Sequence, residues 1–286
     1  MPDPFQPDTL AAIAFIGLLA GTLGGLLGVG GSVITIPGMA ILFGTGENQH
    51  LYQAAAMTAN LAVAIPAARR HKKAQALRPA VLKWMLPVTI VFIIIGVLSS
   101  NLPIFSVEDG GEGGVWLGRV LALFLVYVIA VNVQKIFRSK EKKAADWARE
   151  PKTTPARCGA VGVVMGFAAG LMGIGGGALA VPLQQTLVKL PFRNAIANSS
   201  FVMVFSAGIG AILKLTTLGQ HYPVKTDADP AWLTAVILAL VLAPTAIIGA
   251  SIGAKLTHTL RPRYVRIAFI LLMIVAAFKM AELPLG

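Results

Sequence analysis

The chain has one cysteine, Cys158, which excludes an intramolecular disulfide and any metal cluster built on thiolates. Acidic residues are also scarce, with 12 Asp and Glu against 24 Lys and Arg among 286 residues. All twelve fall in loops or at the ends of apolar segments, so the usual carboxylate proton relay inside a membrane is missing. The four histidines, His50, His71, His221 and His258, also fall at loops or segment ends, where water is expected to solvate them. No His/Cys/Asp set has the spacing of a metal site, and no nucleophile stands beside a base. An enzyme inside the membrane would need one or the other, so neither catalysis nor a cofactor is expected.

The chain is rich in apolar length. It is 56% hydrophobic, with a mean hydropathy of +0.76. Runs such as 115–133, 233–252 and 267–278 are too long and too frequent for a soluble core, and several approach the roughly 20 residues that span a bilayer. The composition defines a polytopic membrane protein. In a soluble protein a net charge of +12 would suggest nucleic acid. Here the basic residues sit in short runs beside apolar segments, which reads as topogenic charge and excludes a nucleic-acid partner. Met1-Pro2-Asp3-Pro4 lacks the positive start of a signal peptide, so no cleavage is expected.

Glycine is abundant and clustered. Gly28-Val29-Gly30-Gly31-Ser32 returns as Gly173-Ile174-Gly175-Gly176-Gly177 at a spacing of 145 residues. Around these clusters Gly21, Gly25 and Pro37 fall on Gly166, Gly170 and Pro182 without a gap. Each glycine costs a helix about 1 kcal/mol against alanine, so both segments must break there. In lipid the freed backbone groups need protein or a water-filled cavity as partners. Paired breaks in matching halves are the sequence mark of a transporter's binding site.

The remaining segments follow the same plan twice. Broken segments over 9–43 and 156–188 are each followed by a helix, 51–68 and 194–215, and then by two further spans. Ala54, Ala56 and Thr58 match Ala195, Ala197 and Ser199, and Pro87 and Gly96 match Pro244 and Gly253. The chain therefore divides into a first repeat (1–138), a basic linker (139–156) and a second repeat (157–286). The basic stretches 69–83, 135–157 and 255–266 are assigned to the cytoplasm by the positive-inside rule, in the cell membrane, with both termini outside. Each half then crosses an odd number of times, so the repeats are inverted. The expected fold is all-α, each repeat a bent or re-entrant helical hairpin plus three transmembrane helices. At 33 to 35 residues a hairpin falls short of two full spans, so each limb should reach part way or barely across, with the tips meeting near the middle. The plainer reading of Gly21/Gly25 and Gly166/Gly170 is that they let helices pack closely.

Helices restarting at Ser32 and Gly177 would point free N–H groups at the tips, where partial positive charge favours anions. The candidate substrate site is thus Gly28, Gly30, Gly31 and Ser32 with Gly173, Gly175, Gly176 and Gly177. Thr58 and Asn60 from the first half, and Asn198, Ser199 and Ser200 from the second, could complete it, or could simply bond helix to helix. Gln184 and Gln185 are further candidates. Lys214 could attract an anion, though a snorkelling lysine is the commoner explanation. With a negative cytoplasm, anion export is downhill by about 2.3 kcal/mol per charge per 100 mV, which favours export without a coupled ion.

The paired Gly-x-x-x-Gly-x-x-Gly-x-Gly-Gly…Pro blocks, each followed by Ala-x-Ala-x-(Thr/Ser), resemble the TauE/SafE sulfite exporter family over nearly the whole chain. The resemblance implies transport of sulfite, thiosulfate or an organosulfonate such as sulfoacetate, through these same glycine, Thr58, Ser199 and Ser200 positions. It leaves direction open, because the family includes exporters and importers. One departure is Thr58-Ala59 in the first half where the second has Ser199-Ser200. The expected partners are a small anion and the lipid bilayer, with the chain as monomer or homodimer. An anion channel, a coupled importer of thiosulfate and a purely structural membrane protein are the alternatives.

Overall fold

The computed structural model describes residues 6–27, 30–44, 49–105, 113–138, 153–220, 230–256 and 262–281. Among them are no strands and ten α-helices: α1 Pro7–Leu27, α2 Ser32–Phe43, α3 Gln49–Lys73, α4 Pro79–Ser100, α5 Gly113–Arg138, α6 Pro155–Met172, α7 Gly177–Leu183, α8 Phe192–Thr217, α9 Ala231–Leu256 and α10 Pro262–Ala281. Proline opens α4 and α6, where its missing N–H has no intrahelical role. A π-helical turn, Gln184–Val188, continues α7 and ends at Lys189 with φ 58°.

Seven of these helices (α1, α3, α4, α5, α6, α8 and α9) are long and apolar enough to cross a membrane. Their outer faces carry large apolar side chains such as Leu123, Ile212 and Leu240, each more than 60% exposed. Water would penalise such a surface and lipid tails satisfy it. The chain is an all-α, multi-pass membrane protein.

The hairpins divide their length unequally. At about 1.5 Å per residue, α1 with 21 residues and α6 with 18 come close to or reach the roughly 30 Å of a bilayer core. The shortfall falls on the second limbs, α2 with 12 residues and α7 with 7. Apolar content alone does not say where within a hairpin the break will fall relative to its ends.

Helix pairing crosses between the halves. The most extensive contacts are α4 with α6 and α1 with α9, followed by α3 with α8 and α5 with α10. Exchanging the halves exchanges the first two pairings and returns the last two to themselves. Two glycine ladders make the crossed pairs possible. A Cβ on Gly17, Gly21 or Gly25 of α1 would strike the backbone of Leu242, Ala246 or Ala250 in α9. A Cβ on Gly162, Gly166 or Gly170 of α6 would strike that of Met85, Thr89 or Ile93 in α4. Gly96 of α4 and Gly249 of α9 return the favour against Phe167 and Leu18. In lipid, where burial of apolar surface gives no drive between helices, such close backbone approach supplies the dispersion contacts that hold them together. The close-packing reading of Gly21, Gly25, Gly166 and Gly170 therefore describes what these residues do.

Side chains also tie α8 to the basic end of α3. Asn194 donates from Nδ2 to the Ala76 carbonyl at 2.7 Å, and the Arg78 N–H donates to Asn198 Oδ1 at 2.9 Å. The start of α8 thus lies beside the end of α3, and the two helices run in opposite senses.

Candidate functional site

The two breaks meet. Gly30 (φ 85°), Gly173 (φ 70°), Gly175 (φ 65°) and Gly176 (φ 78°) all occupy the left-handed region, which favours glycine at these four positions. Gly24 of α1 adds a second requirement, because a Cβ there would meet the Gly30 carbonyl carbon at 3.0 Å. The Ser32 hydroxyl donates across the gap to the Ile174 carbonyl at 2.6 Å, joining tip to tip. From α8, Ser206 donates to the Gly175 carbonyl at 3.1 Å. Two tip carbonyls are thereby occupied. Helices α2 and α7 start at Ser32 and Gly177 behind glycine N-caps that provide no side-chain acceptor. Their leading N–H groups have no intrahelical partner, so the local balance favours donors.

A cavity of about 230 Å³ lies against the first tip. Gly30, Gly31 and Gly177 line its inner end with Asn60 of α3 and Ser199, Ser200 and Met203 of α8. From there it follows Val63, Ala67, Arg70 and His71 along one face of α3, about 15 Å of helix, to the basic end. Arg70 at that end is exposed. Asn60 and Met203 sit midway along α3 and α8, and both also neighbour the space beside Gly175. Asn60 is 4% exposed and its Nδ2 has no hydrogen-bond partner. A buried amide donor left open in this way is normally satisfied by water or a ligand. The described lining contains Arg70 and His71 and no carboxylate.

The residues singled out in the sequence separate into groups. Gly30, Gly31, Gly177, Asn60, Ser199 and Ser200 converge on the cavity. Gly175 borders it through Asn60 and Met203, and Gly176 packs on Met165. Ser32 is buried and its hydroxyl is committed to Ile174. Away from the cavity lining, Thr58 returns its hydroxyl to the Ala54 carbonyl, Asn198 holds Arg78, and Gly173 receives the Gln53 side chain. Gly28 lies outside the described residues, as does most of the linker. Gln184 is buried and turned to α8, donating to the Ala195 carbonyl at 3.3 Å.

Two expectations are corrected. His50 is not solvated: it is 2% exposed and its Nε2 donates to the Phe105 carbonyl at 3.0 Å, because α3 begins inside the protein. Lys214 does not snorkel. It is 1% exposed, and its Nζ donates to Gln53 Oε1 and to Ser100 Oγ, each at 2.6 Å. Its position on the face of α8 toward α3 and α4 points it inward. His221 and His258 lie outside the described residues. Arg70 and His71 were hidden within the basic run 69–83, yet they share the helical face of Asn60 at spacings of ten and eleven residues, and that periodicity would have revealed them.

Crossing helices, a pair of broken helices and a cavity at their junction define a helical, multi-pass membrane protein with an internal site. Residues 13–280 match the family model described as sulfite exporter TauE/SafE, and the chain belongs to that family. It is 27% identical, over 95% of its length, to the probable membrane transporter protein MamO of Magnetospirillum gryphiswaldense, of which it covers 44%. The chain thus spans less than half the length of that relative. It is 26% identical to the probable membrane transporter protein MJ0441 of Methanocaldococcus jannaschii, with 90% of each covered. The probable membrane transporter protein YunE of Bacillus subtilis is also 26% identical, with 88% of this chain and 89% of YunE covered. No solved structure matches the chain.

Proposed function

We propose that the chain is a secondary carrier that exports a small sulfur oxyanion, sulfite or an organosulfonate such as sulfoacetate, by alternating access to the tip site. One observation carries this reading: a cavity whose inner end is formed by Gly30, Gly31 and Gly177 is lined by Asn60, whose buried Nδ2 has no partner, by Ser199 and Ser200 and, at its mouth, by Arg70. Donors and positive charge without an opposing carboxylate suit an oxyanion, whose oxygens only accept. Halves 1–138 and 157–286 act as inverted repeats about this site, joined by 139–156. With the basic end in the cytoplasm of a cell-membrane protein, the cavity opens inward, the arrangement that loads a substrate for export. On the far side of the tips Met57, Ile93, Val97, Ala169 and Ala211 form a buried apolar cluster. A closed far side favours a carrier over an open channel.

Efflux from proteoliposomes loaded with sulfite, sulfoacetate or chloride, under an imposed potential, tests this. Saturable efflux of a sulfur anion is expected, and Asn60→Leu should raise its half-saturating concentration about tenfold, the cost of about 1.4 kcal/mol for one lost donor. Equal, non-saturating passage of chloride would replace the carrier with a channel. No flux from folded, inserted protein would overturn the substrate class.

A further inference from the structure

Lys214 is a buried cation that the tip site does not use. It lies sixteen residues beyond Asn198, about 24 Å along α8, so it sits toward the end of the bundle opposite the basic loop of α3. The cavity does not reach it. Of its three N–H groups, two are taken by neutral acceptors, Gln53 Oε1 and Ser100 Oγ. Ser100 in turn donates to the Val97 carbonyl at 2.7 Å. The Gln53 amide orientation follows from the lysine, because turning it over would set two donors against each other. Gln53 is wholly buried and its Nε2 has no partner. With Lys214 protonated, what the cluster holds in surplus is all donor: one ammonium N–H and the Gln53 amide group.

Among the described residues no carboxylate balances this charge. Asp8, in the first turn of α1, is the only carboxylate side chain among the described residues, and Lys214 makes no ion pair. An ionisable side chain inside a membrane bundle marks a pathway or a ligand unless it is paired. The cluster also touches the transport machinery. The Cβ and Cγ of Gln53 fill the space where Gly173, at the second tip, lacks a side chain. Between Lys214 and the cavity stand Met57 and its apolar neighbours, with the Met57 methyl pressed on Gly210, one turn before the lysine.

We propose that Lys214, with Gln53, forms a second oxyanion subsite on the far half of the route, occupied when the Met57 cluster opens. The anion takes the third ammonium N–H and the free Gln53 amide, and passes between the tips and the end of the bundle opposite the basic loop. This inference rests on the carrier reading above and adds to it a binding group that lies outside the cavity. The substrate class is the same: a small, multiply accepting sulfonate or sulfite, held by charge and not by shape.

Transport of sulfoacetate by proteoliposomes of known orientation tests it. Lys214→Gln should raise the half-saturating concentration at least tenfold from the face opposite the basic loops, and less than twofold from the basic face. Lys214→Arg should recover most of the loss. A structural role would instead shift both faces equally, or leave arginine no better than glutamine, and either result overturns the subsite. Where Lys214→Gln does not fold, the wild-type protein supplies the second readout. Reductive methylation of Lys214 by formaldehyde and borane, read by mass spectrometry, should proceed during turnover and fall at least fivefold with sulfoacetate present on the far face. Lys214 that is never methylated, or is methylated regardless of sulfoacetate, overturns the inference while measured wild-type flux leaves the carrier standing. Wild-type protein that moves no sulfur anion removes both.

Discussion

The two sides of the tip junction are made from matching segments and are packed differently. On the basic side a cavity follows α3 from Asn60 to Arg70, and Gly21 and Gly25 both pack against α9 and open onto it. On the other side the counterparts Gly166 and Gly170 only pack, against α4, and Met57, Ile93, Val97, Ala169 and Ala211 fill the space. The repeat in the sequence is thus a repeat of parts and not of present conformation. A carrier built from two such halves needs the open and the closed packing to be exchangeable between its sides. The glycine ladders are the parts that both arrangements would share, whereas the apolar cluster belongs to one arrangement only.

The largest effect is expected where the sides agree. Gly166→Val would set side-chain carbons against the Thr89 backbone, which cannot yield as a flexible side chain would. Overpacking usually costs about 1–3 kcal/mol, and contact with backbone belongs at or beyond the top of that range. Loss of monodisperse protein in detergent is expected, as it is for Gly21→Val against Ala246. Gly159→Ala is the control, since its Cβ would find only Val88 Cγ2 at 3.9 Å. A well-behaved Gly166→Val protein would mean that the ladders do not hold α4 to α6.

A second change should break the difference itself. Met57 is wholly buried in the closed cluster and absent from the cavity. Met57→Ala removes packing from that side alone, at a cost of about 2–5 kcal/mol to the closed arrangement. Even about 2 kcal/mol is worth more than tenfold in the balance of two states. Alkylation of Ala211→Cys by a membrane-impermeant maleimide, in a Cys158→Ala background, should therefore speed up at least tenfold from the Lys214 side. An unchanged rate would mean that the cluster is fixed core and not a gate.

Much of this architecture was legible because lipid imposes strict rules on backbone. Helix breaks in apolar sequence have to be satisfied internally, so the sequence alone places Gly30 and Gly175 in the interior. The apolar runs and the glycine breaks likewise outlined the helical segments. What the sequence could not convey was which hydroxyl or amide would be spent on protein. Thr58 and Ser199 occupy matching places in α3 and α8, yet one bonds its own helix away from the cavity and the other lines it. The asymmetry belongs to the conformation, and a repeat cannot record it. Lys214 was misjudged for a related reason. A lysine three residues from the end of an apolar helix usually reaches water, and only the seating of Gln53 and Ser100 turns it inward.

The smallest expected effect concerns the mouth of the cavity and sharpens the comparison from the open side. Arg70 is exposed, so its field is screened within about 8 Å at physiological salt and cannot hold an anion as a buried donor would. Its contribution is to raise the local anion concentration at the entrance, a rate effect. Arg70→Gln should lower initial efflux at subsaturating sulfoacetate about two- to threefold in low salt, and leave the saturated rate unchanged. Raising the ionic strength to about 1 M, where the screening length falls to about 3 Å, should erase the difference between variant and wild type. A salt-independent loss would instead put the guanidinium in direct contact with the anion. The loading site would then extend from the tips to the basic end, and the far side would have no counterpart to it except Lys214.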